Sequence, residues 1–394
     1  MSCTAPRFGI APPSVHLDGA RPYLTHFVPV QLVYFVGAIL ITIPNTRPLR
    51  LALFPLFLAI LWRTTSQLDM SNGVKEDVAM NLGLLSLVMT VFMRTLTWTF
   101  RSQPHLRVVK RRDPCERTRW EIICDAADLC SNFRGIGWDW SIYRRDPTIT
   151  VTKPTSRATF LRQSAFQWFY RSVIFEAILY IALNWPAYEA PNAILDFGLR
   201  ALRSLCYPAM VFFTLNASYN FYSIIGVGIF RQTPEEWPAF YARPWKSTSL
   251  AELWGRDWHQ GWRYTFWYIG GKPMSMVFGR VGLVLGAFLA SGAYHDALAW
   301  GMHRERGNCC WLTPFFVLNG VGLVLEHALY KVTGKRVGGK VGWLWTWAWA
   351  IGSILSTYDA ECVVELSGSL TACLYTRPIF MIYSIYRAVL SNVA

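Results

Sequence analysis

Charge is scarce in this chain: of 394 residues only 16% are Asp, Glu, Lys or Arg, while 53% are apolar. Soluble domains carry about 25% charged residues, so the shortage, with a mean hydropathy of +0.24, excludes an ordinary water-soluble fold and points to the bilayer. Acid is scarcer than base, 24 against 38, and the formal charge of +14 is scattered over short loops. Without one basic domain, a nucleic-acid partner is not expected; loops that face the cytosol and anionic ligands explain the excess better. The nine cysteines lack a metal-ligand rhythm: Cys124 and Cys130 are too far apart for C-x-x-C, and Cys309 and Cys310 are adjacent, so neither a bound metal nor a disulfide framework is expected. The opening MSCTAPRFGIAPPSVHLDG lacks a basic start followed by an apolar core and does not read as a cleavable signal. There is no P-loop, H-E-x-x-H, G-x-S-x-G or haem motif, which leaves ATPase, metalloprotease and hydrolase readings without support.

What is abundant is apolar sequence. Nine stretches are candidates for membrane helices, judged against the roughly 20 apolar residues a crossing needs. They are Phe27–Ile43, Leu49–Trp62, Val78–Phe100, Phe166–Leu183, Leu199–Phe230, Met274–Trp300, Trp311–Tyr330, Val341–Tyr358 and Leu370–Leu390. The expected fold is all-α and polytopic, with about eight or nine transmembrane helices. The second stretch is short and holds Pro55, so it is either re-entrant or paired with its neighbour; the fifth carries Asn216, Ser218 and Asn220, a bundle-facing polar stripe or a break. Basic loops belong in the cytosol, which places 101–165 and 231–273 there as interfacial segments and leaves 1–26 as a tail. HRERG at His303–Gly307 is the poor fit, because the crossing count puts this basic loop in the lumen. Within 101–165, Arg134-Gly135-Ile136-Gly137-Trp138 is a tight turn without a nucleotide fingerprint.

The chemistry concentrates between Pro234 and Trp300. Trp254, Trp258, Trp262 and Phe266 recur at four-residue steps, as on one face of an interfacial helix, with Arg256 and Arg263 on its other faces. The tryptophans suit membrane anchoring, and the arginines suit either lipid phosphates or the phosphates of a nucleotide-bearing cosubstrate. His259 sits among them, where a histidine can simply face water. About thirty residues on, His295 lies inside an apolar run. An ionisable group there is a functional candidate by default, although a lone histidine can also be an ordinary hydrogen-bonder between helices. Ser291 one turn earlier, Gly292, and the flanking Tyr294 and Asp296 favour a polar pocket. Asp296 points about 100° away from His295 on a helix, so it is not an assured partner for the imidazole. Counted from Met274, His295 is about 30 Å along a helix, near the far interface. Glu326-His327 is a second ionisable pair whose role, proton relay or structural, stays open.

Taken in order, FRGIGW, EEWPAFYARPWKSTSLAELWGRDWHQ and SGAYHD resemble the fungal wax synthase-like acyltransferases of the membrane-bound O-acyltransferase superfamily. The likeness covers roughly residues 130–330. It implies a single integral-membrane acyltransferase domain with an internal tunnel, residing in the endoplasmic reticulum, in which an acyl-CoA meets an alcohol at a buried histidine. That histidine falls on His295. The second family position, usually Asn in the wider superfamily, falls on His259, within the WHQ that this fungal branch tends to show. Arg256, Arg263 and Trp258 are the residues expected to face the cosubstrate. Many members of the branch acetylate terpenoid or meroterpenoid hydroxyls in secondary metabolism, so the resemblance implies acetyl-CoA, a small-molecule alcohol and surrounding lipids as partners. Long-chain wax or sterol ester synthesis is the enzymatic alternative. A proton-coupled transporter using His295, Asp296, Glu326 and His327 is the alternative of another class, and it predicts an internal repeat that the sequence lacks.

Overall fold

A computed structural model describes residues 13–17, 19–72, 79–108, 117–141, 156–185, 191–302 and 312–357. The expected ninth span, the HRERG loop, the adjacent cysteines and most of the N-terminal tail lie outside the described residues. The chain divides into two compact units, Met1–Pro147 with Leu250–Val337, and Thr148–Ser249 with Gly338–Ala394.

The regular structure of the described residues is helical apart from a two-residue parallel pairing of Val15–His16 with Leu68–Asp69 and an isolated antiparallel bridge between Arg107 and Trp138. The first unit opens with α1 (Ala20–Thr42), α2 (Arg47–Gln67) and α3 (Ala79–Phe100). Pro55 lies inside α2 without ending it, so this stretch is a full 21-residue helix. Gly37 lets α1 approach the Trp98 indole of α3, on which Tyr34 stacks with ring centroids 5.2 Å apart. The amphipathic α4 (Arg119–Ser131) starts at a capping box of Thr118 and Glu121 and packs on α1, where the Tyr34 hydroxyl donates to the Cys130 carbonyl at 3.0 Å.

Two buried arginines close helix ends whose last carbonyls would otherwise lack donors. Arg50 donates to the carbonyls of Trp98 and Arg101 at the end of α3, and Arg94 donates to that of Leu129 at 2.7 Å near the end of α4. The turn after α4 then takes left-handed backbone at Gly135 (φ 65°) and Gly137 (φ 81°), and a side chain on Gly135 would strike the Trp140 ring. Its Trp138 is fully buried and donates to Asp128 at 2.7 Å.

Beside it His105, also buried, sits 3.4 Å from Asp139, which pairs with Arg101 at 2.8 Å. Burial pushes the His105 imidazole down to about 4, with the Asp139 contact opposing it. For Asp139, burial acts upward, but the contacts with His105 and Arg101 win and hold it below the usual range. Below about pH 6.5 the unfolded histidine binds a proton that the folded one refuses. Stability is therefore expected to be full above that pH and to fall as pH drops towards 4. The thermal midpoint of the purified protein, followed from pH 7.5 to 4.5, should show this decline, and His105→Leu should make it shallower, the buried His259 supplying the remainder; a wild-type midpoint constant over that range would contradict it.

Met274–Trp300 was expected to be one membrane helix. It belongs to an apolar run, Arg263–Gly301, that is 39 residues long, about 58 Å if straight and nearly twice the hydrocarbon thickness. The run is folded in two. Gly279 breaks it with φ 57° and ψ −138°, and the arms α7 (residues 263–278) and α8 (residues 280–302) lie antiparallel. Gly270 faces the Gly286 carbonyl, Gly271 the Leu283 carbonyl and Gly282 the Met274 carbonyl, each with no room for a Cβ. After this hairpin comes α9 (Thr313–Thr333), whose C-terminus ends on left-handed Gly334.

The second unit contains α5 (Arg157–Leu183), α6 (Ala193–Gly228) and α10 (Gly339–Thr357). By length and composition five helical segments among the described residues could cross a membrane: α1, α2, α3, the α7–α8 run and α9. α5 and α6 are less apolar than these: α5 carries Arg171 and Glu176 in its second half, and α6 carries Asn216, Ser218 and Asn220 in a charge-free stretch, residues 204–228. This is a helical membrane protein, with five candidate crossings among its described residues; the expected ninth span, Leu370–Leu390, lies outside them.

Candidate active site

The hairpin places the two histidines at one end of the first unit. Opposed residues in its arms sum to nearly constant numbers, and the series continues beyond the glycines. The Phe266 and Tyr294 rings meet at 5.7 Å, those of Trp262 and Tyr294 at 6.2 Å. One step further along lie His259 and His295, near enough that a proton on His295 would disfavour one on His259.

Five of the six residues of SGAYHD have an assignable task. His295 Nδ1 lies 2.7 Å from the Ser291 carbonyl oxygen. A carbonyl can only accept, so Nδ1 carries the proton and Nε2 keeps its lone pair. The ring lies along Phe316, centroids 4.3 Å apart. Gly292 makes the close approach to the start of α9, where a Cβ would sit 2.7 Å from the Thr313 Cα. Tyr294 reaches Ser86 of α3 through its hydroxyl at 3.2 Å. Asp296 accepts from the backbone N–H groups of Leu312 and Thr313 and from the Thr313 hydroxyl. It caps α9 and does not serve the imidazole.

The preceding segment departs from the expected interfacial helix. Trp254, Trp258, Trp262 and Phe266 share no helical face, because a short turn Leu250–Glu252 passes into a π-turn, Leu253–Asp257, and Trp258 is extended (ψ 160°). Gln260 holds this break by donating to the Trp258 carbonyl at 2.7 Å. The turn starts on the buried Glu326, whose carboxylate accepts from Leu250 and Ala251 N–H at 2.7 and 3.0 Å. Trp254 donates to Asn319 at 3.0 Å and Trp262 to Thr90 at 3.3 Å. His259 is thus carried by a loop pinned to α3, α8 and α9. Burial, reinforced by His295, pushes its imidazole down to about 3, so both the break and the burial keep a neutral ring at this point.

The segment that carries His259 and His295 is similar to known proteins. Residues 237–318 match the model of the membrane bound O-acyl transferase family. The acetyltransferase eriL of Hericium erinaceus is 25% identical over 362 residues, covering 85% of this chain and 89% of that protein. The acetyltransferase sirH of Emericella nidulans is 26% identical over 272 residues, 60% of this chain and 58% of its own. The acetyltransferase aurG of Calcarisporium arbuscula is 23% identical over 173 residues, 38% and 42%. The chain is an acyltransferase, similar over this segment to the membrane bound O-acyl transferase family.

In this acyltransferase the two arginines expected to face the cosubstrate already have internal partners. Arg256 grips Asp257 with two nitrogens, at 2.8 and 3.1 Å, and lies 3.7 Å from Glu252. Arg263 donates to the Gly255 carbonyl and to Gln260 at 3.1 Å, closing the loop that carries His259. Trp258 packs between Trp254 and His259, with centroids 5.8 and 6.0 Å away. Phe316, Asn319, Thr90 and Ser86 escaped the sequence reading. Ser86 and Thr90, one helical turn apart in the otherwise apolar stretch 82–93 of α3, were the signal available for the last two.

Proposed function

We propose that the enzyme moves an acetyl group from acetyl-CoA to the hydroxyl of a small-molecule alcohol, a terpenoid or meroterpenoid of secondary metabolism. The observation that carries the reading is the fixed tautomer of His295: with Nδ1–H on the Ser291 carbonyl, Nε2 can only accept. Nε2 takes the hydroxyl proton as the alcohol oxygen attacks the thioester carbonyl, a role that contributes a rate factor of about 100 to 10,000. The C–S bond then breaks, and the departing CoA sulfur receives that proton. His259, kept neutral, donates to the developing oxyanion or orients the thioester. An internal tunnel brings the acyl-CoA to the pair, and Arg256, Arg263 and Trp258 face it at the entrance. Residence in the endoplasmic reticulum, with further crossings beyond the five apolar segments, completes the proposal. The shared word acetyltransferase in the names of the relatives supports the short donor. The transporter alternative loses two of its four ionisable groups, since Asp296 and Glu326 are taken up as caps.

The test is transfer by the purified protein from acetyl-CoA and from palmitoyl-CoA to a panel of hydroxylated terpenoids. Acetyl ester with little palmitoyl ester is expected, and the reverse preference would make it a long-chain enzyme. In the same assay Arg256→Ala should raise the KM for acetyl-CoA about tenfold, the worth of one charge-assisted hydrogen bond, with kcat nearly unchanged. An unaltered KM would leave Arg256 as a partner of Asp257 alone.

A further inference from the structure

The polar stripe of α6 has no part in acyl transfer as described, yet it lines a cavity of about 160 Å³ within the second unit. We propose that this cavity is an oxyanion site, in which Arg171 of α5 and Asn220 of α6 bind a phosphate group.

The argument begins with unused donors. Among the described residues, the buried Arg171 Nε has no hydrogen-bond partner, and the only hydrogen bond of its guanidinium is a long one, 3.4 Å, to Asn216 Oδ1. Asn220 is 7% exposed and its Nδ2 likewise has no partner. Each donor left unmet in a buried place costs about 1–3 kcal/mol, and an arginine in a membrane protein's helix pair is costlier still without a counter-charge. Among the described residues no carboxylate pairs with Arg171, and none lines the cavity.

The surroundings are committed in a way that holds these donors in place. Asn216 spends its own amide on the Phe212 carbonyl at 2.9 Å, and the Ser223 hydroxyl donates to the Asn220 carbonyl at 2.8 Å. Gln163 and Gln167, one turn apart on α5, add further amides to the wall. The roof is fixed as well. Gly226 leaves room for the Trp237 indole, which donates to Gln232 at 3.0 Å, and the Tyr219 hydroxyl donates to the Pro238 carbonyl at 2.7 Å. A cationic fork and an amide donor converging on a small polar void suit a tetrahedral oxyanion with several acceptor oxygens. The volume is well below the roughly 300–1,000 Å³ that encloses a whole drug-sized molecule, so the cavity takes a head group or a free anion.

Those two sources separate by mass. The full chain would be released for native mass spectrometry from nanodiscs of phosphatidylcholine containing phosphatidic acid, and in parallel from phosphatidylcholine nanodiscs with added inorganic phosphate. One retained adduct is expected, of lipid mass in the first arm or of phosphate mass in the second, and the arm in which it occurs identifies the source. Arg171→Gln should reduce it at least tenfold. Asn220→Asp should do the same while keeping its shape, because its carboxylate would occupy Arg171 from within; a thermal midpoint no lower than wild type would show that this variant is folded. No adduct in either arm, or an adduct retained equally by both variants, would overturn the site and leave the cavity to water.

Discussion

Exchanging His295 for alanine is expected to lower turnover about 100- to 10,000-fold, with expression and membrane insertion intact. Among the described residues the ring has one polar contact, the bond from Nδ1 to the Ser291 carbonyl, and it stacks on Phe316 and meets Tyr294 edge-on at 5.2 Å. Losing aromatic contacts of this kind costs about 0.5–1.5 kcal/mol each, little beside the total stability. Activity and stability should therefore part company, with acetyl ester formation lost at saturating acetyl-CoA while the thermal midpoint moves by only a few degrees. His295→Gln, which keeps a polar side chain of similar reach, should be as inactive as the alanine variant, because an amide cannot take up a proton near neutral pH. Turnover within about threefold of wild type in either variant would remove His295 as the base, being far less than positioned proton transfer supplies.

A second large effect is expected far from the imidazoles. Gly286→Val sets side-chain atoms against the Gly270 carbonyl, where the arms of the hairpin touch backbone to backbone. Overpacking of this sort costs about 1–3 kcal/mol where side chains can yield, and backbone yields less. The arms must part, and the alignment that opposes Trp262 to Tyr294 and His259 to His295 goes with them. Activity and thermal midpoint should both fall, unlike the His295 variants, in which only activity falls. Gly83→Ala is the control: it lies in α3 with nothing within 4 Å of its added carbon, and removing a helical glycine should be neutral or stabilise by about 0.5–1 kcal/mol. Full activity in Gly286→Val would show that the hairpin does not position the histidines.

The contrast between these variants marks what was legible in the sequence. His295 stood out as a candidate because an imidazole with serine and glycine at helical spacing is rare in an apolar run, and the order of elements in the first unit followed the apolar stretches closely. The fold-back could not be read from hydropathy, since both arms are apolar and a single left-handed glycine separates them. Its signature was present nonetheless, in Gly270 and Gly271 on one side of Gly279 and Gly282 and Gly286 on the other. That hairpin also removes the difficulty of a histidine stranded about 30 Å along one helix, because α8 returns His295 to the level of the loop holding His259. Spacing misled for the tryptophans: their four-residue rhythm is real, but Gln260 and the π-turn interrupt the helix it implied. Asp296 and Glu326 were ambiguous because their partners, Thr313 at 17 residues and Leu250 at 76, are brought to them only by the tertiary fold.

At the centre of the account is a neutral imidazole with its proton on the inner nitrogen. Solid-state NMR of the full protein in bilayers, with 15N-labelled histidine and His295 assigned by comparison with the His295→Gln variant, reads this directly. A protonated Nδ1 and a bare Nε2 at neutral pH are predicted, with Nε2 shifting when an alcohol substrate is added. A ring protonated on Nε2, whether as the other tautomer or as an imidazolium, would contradict it.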